Sequence, residues 1–194
     1  TNFAAMCPIL AQPYCRLYSK PPSFSTSPTA ALPYYSMISV CLATYNGAST
    51  IHQQMSSILA QLSPEDEVIV SDDGSTDGTL DVVRAFNSSI VRIVQGPGTG
   101  SPIDNFENAL REARGEYIFL SDQDDLWLEG KVQRMVAALQ AGADCVVSDC
   151  HVTDDALRVT ALSFFAYARL HKGRWYNLFM RNFYLGCCMA FTRR

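Results

Sequence analysis

The stretch Ile38-Ser39-Val40-Cys41-Leu42-Ala43-Thr44-Tyr45-Asn46-Gly47 decides the class of fold. Apart from Ser39, residues 38–43 form one apolar run, which leads directly into a polar turn closed by glycine. Alternating apolar and polar residues would mark a strand with one wet face, whereas a continuous run marks a strand covered on both faces, as in a parallel sheet between helices. Downstream, Ile51, Met55, Ile58, Leu59 and Leu62 recur at helical spacing. The same unit then repeats. The pattern predicts a strand Glu67–Ser71 and a helix Gly78–Phe86 with Leu80, Val83 and Phe86 inward, then a strand Ile90–Val94. A helix Pro102–Ala113 follows, with proline in its first turn and Phe106, Ala109, Leu110 and Ala113 on one face. Next come a strand Tyr117–Leu120, a helix Leu128–Ala141 with Val132, Met135, Val136 and Leu139 inward, and a strand Asp144–Ser148. Beyond Asp155 the periodicity weakens to a helix Trp175–Arg181 and a final strand Cys188–Thr192. This alternation predicts an α/β fold: a mostly parallel central sheet with helices on both faces and right-handed crossovers.

Residues 1–36 read differently. They hold six of the nine prolines, a Ser/Thr-rich run and no glycine, so we expect an extended tail outside a domain spanning 37–194. With 48% hydrophobic residues in 194, the chain can bury one ordinary core and is too apolar for global disorder. The net charge of −4 averages over uneven segments. All nineteen carboxylates lie between Glu65 and Asp155 with six basic residues among them, a local balance of −13, while 156–194 carries seven Lys/Arg and no carboxylate. The overall sign disfavours a nucleic-acid binder. The basic C-terminal segment leaves peripheral contact with an anionic membrane surface open.

Seven cysteines make an odd count without zinc-ribbon or disulfide-scaffold spacing, and reduced core thiols are expected. No apolar run approaches the ~18 residues that span a bilayer. Residues 1–36 lack the basic region and apolar core of a signal peptide, so a cytoplasmic protein is expected, with the inner membrane face as a site of peripheral contact.

In open α/β sheets ligands bind beyond the carboxyl ends of the strands. Those ends carry Thr44-Tyr45-Asn46-Gly47, then Asp72-Asp73-Gly74-Ser75-Thr76-Asp77-Gly78-Thr79, then Ser121-Asp122-Gln123-Asp124-Asp125. The dinucleotide fingerprint Gly-x-Gly-x-x-Gly is missing after the first strand. Gly96-Pro97-Gly98-Thr99-Gly100 lacks the Lys-Ser/Thr of a phosphate loop. Asp122 and Asp124, one residue apart after a buried strand, can reach a common hard cation such as Mg²⁺ or Mn²⁺, which would neutralise a diphosphate leaving group. The competing reading is a solvated turn with Asp125 capping the next helix. Asp73 and Asp77 read as turn-shaping and capping residues. A phosphoacceptor receiver domain also places paired acids at strand ends, but it leaves the Asp122-Gln123-Asp124 run unexplained.

Taken together, residues 38–47, 70–79 and Gly115-Glu116-Tyr117-Ile118-Phe119-Leu120-Ser121-Asp122-Gln123-Asp124-Asp125-Leu126-Trp127 resemble family 2 of the inverting glycosyltransferases, with the GT-A fold (Rossmann-like), over about residues 37–194. Ser-Asp-Gln-Asp-Asp-x-Trp, with Ser163-Phe164-Phe165 and Gly186-Cys187-Cys188-Met189-Ala190-Phe191, is similar to the bacterial rhamnosyltransferase-like subgroup of polysaccharide assembly.

The resemblance implies metal-dependent transfer of a sugar from a UDP- or dTDP-sugar to a glycan or lipid-linked acceptor, with Mg²⁺ or Mn²⁺ as cofactor. It places Thr44 and Tyr45 at the nucleobase, Asp72 as acceptor for the pyrimidine N3–H, Asp122 near ribose and metal, and Asp124 as direct metal ligand. Asn105 matches a polar position near the donor, and Asp104 stands where many relatives carry a basic residue. In the family the general base follows the Gly-Cys-x-Met-Ala-Phe-like strand. No acid follows Asp155, and Asp149, Asp154 and Asp155 stand at other motif positions. A C-terminally truncated chain, with its base beyond Arg194, is therefore expected. The alternative function is a non-catalytic nucleotide-sugar-binding fragment.

Overall fold

The computed structural model describes residues 36–154, 156–167 and 185–193. The expected tail, all but its last residue, and the helix Trp175–Arg181 lie outside the described residues. Strands β1 (Ile38–Thr44), β2 (Glu67–Asp72), β3 (Val91–Gln95) and β4 (Tyr117–Ser121) alternate with helices α1 (Ile51–Leu59), α2 (Thr79–Ala85) and α3 (Pro102–Glu112). Helix α4 (Lys131–Gln140), the short strands β5 (Cys145–Val147), β6 (Val152–Thr153) and β7 (Val159–Ala161), a turn of helix α5 (Phe164–Tyr167), a 3-10 turn (Gly186–Cys188) and β8 (Met189–Thr192) complete the described chain.

Six strands form one sheet in the order β3-β2-β1-β4-β8-β5. The β1–β2, β2–β3 and β1–β4 pairs are parallel, and β8 runs antiparallel to both β4 and β5. β6 and β7 pair separately.

The two faces of β1 explain its unbroken apolar run. Ile38, Val40 and Leu42 pack with Ile51, Met55 and Ile58 of α1, Val83 of α2 and Val132, Met135 and Leu139 of α4. Cys41 packs with Ile69 and Ile118 against Ala109 and Ala113, on the side of α3. Each fully buried Leu, Ile, Met or Phe contributes about 1.5–3 kcal/mol over exposure, so the paired clusters fix the sheet between its helices. At the amino edge Gly115 is pressed against β1: an added Cβ would lie 2.6 Å from the Met37 carbonyl oxygen.

Several expected boundaries and one capping role change. The helix expected from Leu128 starts at Lys131, because Gly130 at φ +77° occupies the N-cap. Asp125 therefore caps no helix, and it is 6% exposed rather than solvated. The last strand begins at Met189, not Cys188, the preceding residues being wound into the 3-10 turn.

Candidate functional site

β1 lies between β2 and β4, and the chain reaches β4 only after building outward through β2 and β3. The crossover directions therefore part beside β1, leaving a crevice at the carboxyl ends of β1 and β4, where ligands of such sheets bind. A cleft of about 200 Å³ opens there, lined by Ala43, Thr44, Tyr45, Asp73, Gly100, Ser101, Pro102, Asn105, Asp122, Gln123 and Asp124.

Of the six expected site residues, Thr44, Tyr45, Asn105, Asp122 and Asp124 line this cleft, and Asp72 does not. The last pair of the β1–β2 ladder, Thr44 and Asp72, joins side chains: Thr44 Oγ1 donates to Asp72 Oδ1 at 2.9 Å. The same carboxylate accepts the Ser75 hydroxyl and the N–H groups of Gly74 and Ser75 at 3.2 and 2.9 Å. Asp72 thus folds the turn behind the cleft.

Asp73 is the acid of that turn that reaches the cleft. Its two oxygens accept the N–H groups of Gly98 and Gly100, at 2.6 and 2.7 Å, while its own N–H donates to the Thr44 carbonyl at 2.9 Å. The Gly96–Gly100 loop is thereby folded around a carboxylate. Gly96 lies against β2: an added Cβ would stand 2.6 Å from the Asp72 carbonyl oxygen.

Helix α3 points its first turn at the cleft. Ser101 caps it by accepting the Asp104 N–H at 3.3 Å, and Pro102 fills a position that needs no donor. Asn105, 3% exposed, spends its amide on the strands: Ser71 Oγ donates to its Oδ1 at 2.6 Å and its Nδ2 donates to the Thr44 carbonyl at 3.2 Å. It tethers α3 to β1 and β2 from within the cleft wall. Asp104 accepts from the Thr99 hydroxyl at 2.9 Å.

The Tyr45 ring stands at the mouth, 54% exposed, and its peptide group is gripped from across the cleft. Gln123 Oε1 accepts the Tyr45 N–H and Gln123 Nε2 donates to the Tyr45 carbonyl, both at 2.9 Å. Beyond Tyr45 the loop is stitched to the β2–α2 turn. Asn46 N–H donates to Ser75 Oγ, Gly47 N–H to Thr79 Oγ1 and Ala48 N–H to Asp77 Oδ2, at 2.8, 2.8 and 2.9 Å.

Behind the cleft lies a buried polar group. The Cys187 thiol hydrogen-bonds to Asp122 and Asp125, and ligand atoms of these three residues lie within 4.8 Å of one another. Burial first, then the charge of Asp124, raises the Asp122 carboxyl above its ordinary range. Burial pushes Asp125 up to about 7, with the Cys187 hydrogen bond pulling the other way. Lys131, 3% exposed, supplies the opposing charge: its ammonium donates to the Cys187 carbonyl at 2.8 Å and stands 4.6 Å from the Trp127 ring centre. The thiols of Cys150, Cys187 and Cys188 cluster beside it, all buried and unbridged.

The cleft lining holds three carboxylates and no Lys or Arg. Asp122 and Asp124 offer hard oxygen donors beside one another in an open cleft, and their mutual repulsion is what a divalent ion relieves, so the residues fit Mg²⁺ or Mn²⁺. Asp149 lies elsewhere, accepting from Ser163 Oγ and from the N–H groups of Cys150 and Phe165. Asp154 bonds Arg158 in the β6–β7 turn. Asp155 lies outside the described residues.

A family model described as Glycosyl transferase family 2 matches residues 39–194. The chain belongs to that family. Among curated family relatives, the dTDP-rhamnosyl transferase RfbG of Shigella flexneri is 34% identical over 105 residues, half of this chain and 36% of that protein. The UDP-Glc:alpha-D-GlcNAc-diphosphoundecaprenol beta-1,3-glucosyltransferase WfaP of Escherichia coli is 30% identical over 52% of this chain and 40% of its own length. The chain thus spans a little over a third of the length of these relatives. A crystal structure of S. aureus TarS 1–349 in complex with UDP matches 57% of this chain and 34% of that one, at 30% identity and TM-score 0.53. The mannosyltransferase PcManGT of Pyrobaculum calidifontis, solved with GDP-Man and Mn2+, covers 83% of this chain and 46% of its own at TM-score 0.60 and 22% identity, a likeness of fold. The GT-A architecture expected from the motifs is the one found.

Three contributors escaped the sequence reading: Asp73 as a wall of the cleft, the Gly96–Gly100 loop folded on it, and Gln123 as the grip on Tyr45. Only the glycine run left a visible trace in the sequence.

Proposed function

We propose that this chain is the donor-binding part of a family 2 glycosyltransferase that moves a sugar from a UDP- or dTDP-sugar to a glycan or lipid-linked acceptor. The observation that carries this reading is the cleft, which sets Thr44 and Tyr45 opposite Asp122 and Asp124 with no basic residue in its lining. A nucleoside diphosphate entering three carboxylates is repelled unless a cation intervenes, and Asp122 and Asp124 are the residues that would hold it. Bound there, a divalent ion takes up the charge that develops on the departing diphosphate.

The chain's own residues supply the rest. Thr44 and Tyr45 flank the nucleobase, and the turn of Asp72 and Asp73 provides its acceptor edge. On this reading Asp72 acts on the base through Thr44, which it fixes, rather than as the acceptor for the pyrimidine N3–H, and Asp73 presents carboxylate oxygens at the cleft itself. Asn105 orders the Thr44 carbonyl next to the donor. The relatives' activities, dTDP-rhamnosyl and UDP-glucosyl transfer, support a nucleotide of the uracil or thymine class.

The basic segment after Asp155 would meet a phosphorylated lipid acceptor or the inner face of the membrane, and its contact is salt-sensitive on this reading. No helix among the described residues is long and apolar enough to cross a membrane.

Calorimetry tests the proposal. UDP or dTDP should bind with Mn²⁺ present and at least tenfold more weakly without it, and Asp124→Ala should abolish that difference. Affinity unchanged by Mn²⁺, or an Asp124→Ala variant that still responds to it, would sink the metal assignment.

A further inference from the structure

The two halves of the cleft are built on different strands, and one side chain bridges them. Gln123 sits between the proposed cation ligands Asp122 and Asp124, so whatever fixes those two carboxylates fixes its backbone as well. Its amide crosses to β1 and holds both the N–H and the carbonyl of Tyr45, 78 positions earlier, at 2.9 Å each. The pairing uses both ends of the amide, acceptor and donor, so it specifies orientation as well as distance.

The opposite side of the Tyr45 loop is already tied down, through Asn46, Gly47 and Ala48, to Ser75, Thr79 and Asp77. A loop held rigidly on one flank changes position only as its other flank allows, and Gln123 is on that flank. Gly47 makes room for it: an added Cβ there would fall inside van der Waals contact of Gln123 Oε1 and crowd the rest of the amide. The sequence Tyr45-Asn46-Gly47 is therefore shaped to receive the Gln123 side chain.

We propose that Gln123 is a positioning residue that couples the cation subsite at Asp122 and Asp124 to the nucleobase subsite at Thr44 and Tyr45. This rests on the reading of the cleft given under the proposed function. A cation that draws Asp122 and Asp124 together holds Gln123, and Gln123 holds the Tyr45 wall against which the base lies. By linkage the effect is reciprocal: an occupied base subsite tightens cation binding by the same factor.

A nucleoside separates this coupling from direct contact, because uridine and thymidine carry no phosphate for the cation to touch. Nucleoside affinity of the 194-residue chain is measured by NMR titration with and without Mg²⁺, and UDP affinity with Mn²⁺ by calorimetry. For the wild-type chain Mg²⁺ should tighten nucleoside binding about fivefold, the lower end of ordinary coupling. In Gln123→Met, which keeps the length and loses both hydrogen bonds, the factor should fall below about twofold. Gly47→Ala breaks the same contact from the other partner and should do the same, while both variants keep the wild-type circular dichroism spectrum and still bind UDP with Mn²⁺.

Wild-type nucleoside affinity that ignores Mg²⁺ while UDP binds overturns the coupling and leaves the donor-site reading standing. Full coupling retained in Gln123→Met overturns it equally. A wild-type chain that binds neither nucleoside nor UDP overturns both.

Discussion

Asp73 accepts the backbone N–H of Gly98 at 2.6 Å, fastening the loop after β3 to the end of β2. Its second oxygen holds Gly100, so one carboxylate organises the cleft wall that leads into α3. Hydrogen bonds to a charged acceptor contribute about 1.5–3 kcal/mol each. Asp73→Ala, which removes both, should therefore cost on the order of 3 kcal/mol in urea denaturation and weaken UDP binding at least tenfold by calorimetry. Unchanged affinity in a folded Asp73→Ala variant would remove Asp73 from the site.

Two glycines separate fold from site. An added Cβ at Gly96 or at Gly115 would lie 2.6 Å from a backbone oxygen, of Asp72 and Met37 respectively. Overpacking of this kind costs about 1–3 kcal/mol, so both alanine variants should melt earlier than wild type. Gly96 adjoins the cleft and Gly115 the amino edge of the sheet. Gly96→Ala should weaken nucleotide binding, and Gly115→Ala should leave it within about twofold.

Asp77 should set part of the acid limb of stability. The Thr79 hydroxyl, then the Ala48 N–H, hold its carboxyl below the ordinary carboxylate value of 3.8. Between the folded and unfolded values the unfolded chain binds more protons, so this contribution is complete above 3.8 and is lost as pH falls through the folded value. Asp77→Asn should melt below wild type at pH 7, with the two curves converging towards pH 2. A constant gap across the range would show that the carboxylate charge is not what matters.

Lys131 opposes one buried carboxylate, Asp125, and one half-buried, Asp122. Lys131→Met keeps its stem but leaves Asp122 and Asp125 without that charge and the Cys187 carbonyl without that donor. Losing the charged member of a buried group should cost on the order of 2–3 kcal/mol. The readout is the urea midpoint at pH 8, where Asp125 is ionised.

The sheet was legible because burial on both faces writes itself as a continuous apolar run, as in Val40 to Leu42 and Val68 to Val70. Strand ends were less so: β1, β2 and β4 each run one residue further than expected, since Thr44, Asp72 and Ser121 stay on the ladder. Gly130 did signal the true start of α4, but Leu128 sits on the helical period and masked it. The acids show the deeper limit. Asp72, Asp73 and Asp125 look alike in sequence, and only partners from distant segments make one a turn former, one a cleft wall and one a buried carboxyl. Gln123 carried no signal at all, because its role depends on Tyr45 across the sheet.

On this reading a nucleoside diphosphate and a divalent cation share the crevice between β1 and β4. Crystals of the chain grown with UDP and Mn²⁺, with diffraction recorded at the manganese edge, test it most directly. The prediction is one anomalous peak bonded to oxygens of Asp122 and Asp124, with the uracil ring between Tyr45 and Asp73. A nucleotide bound elsewhere, or a peak at Asp125 and Cys187 instead, would contradict it.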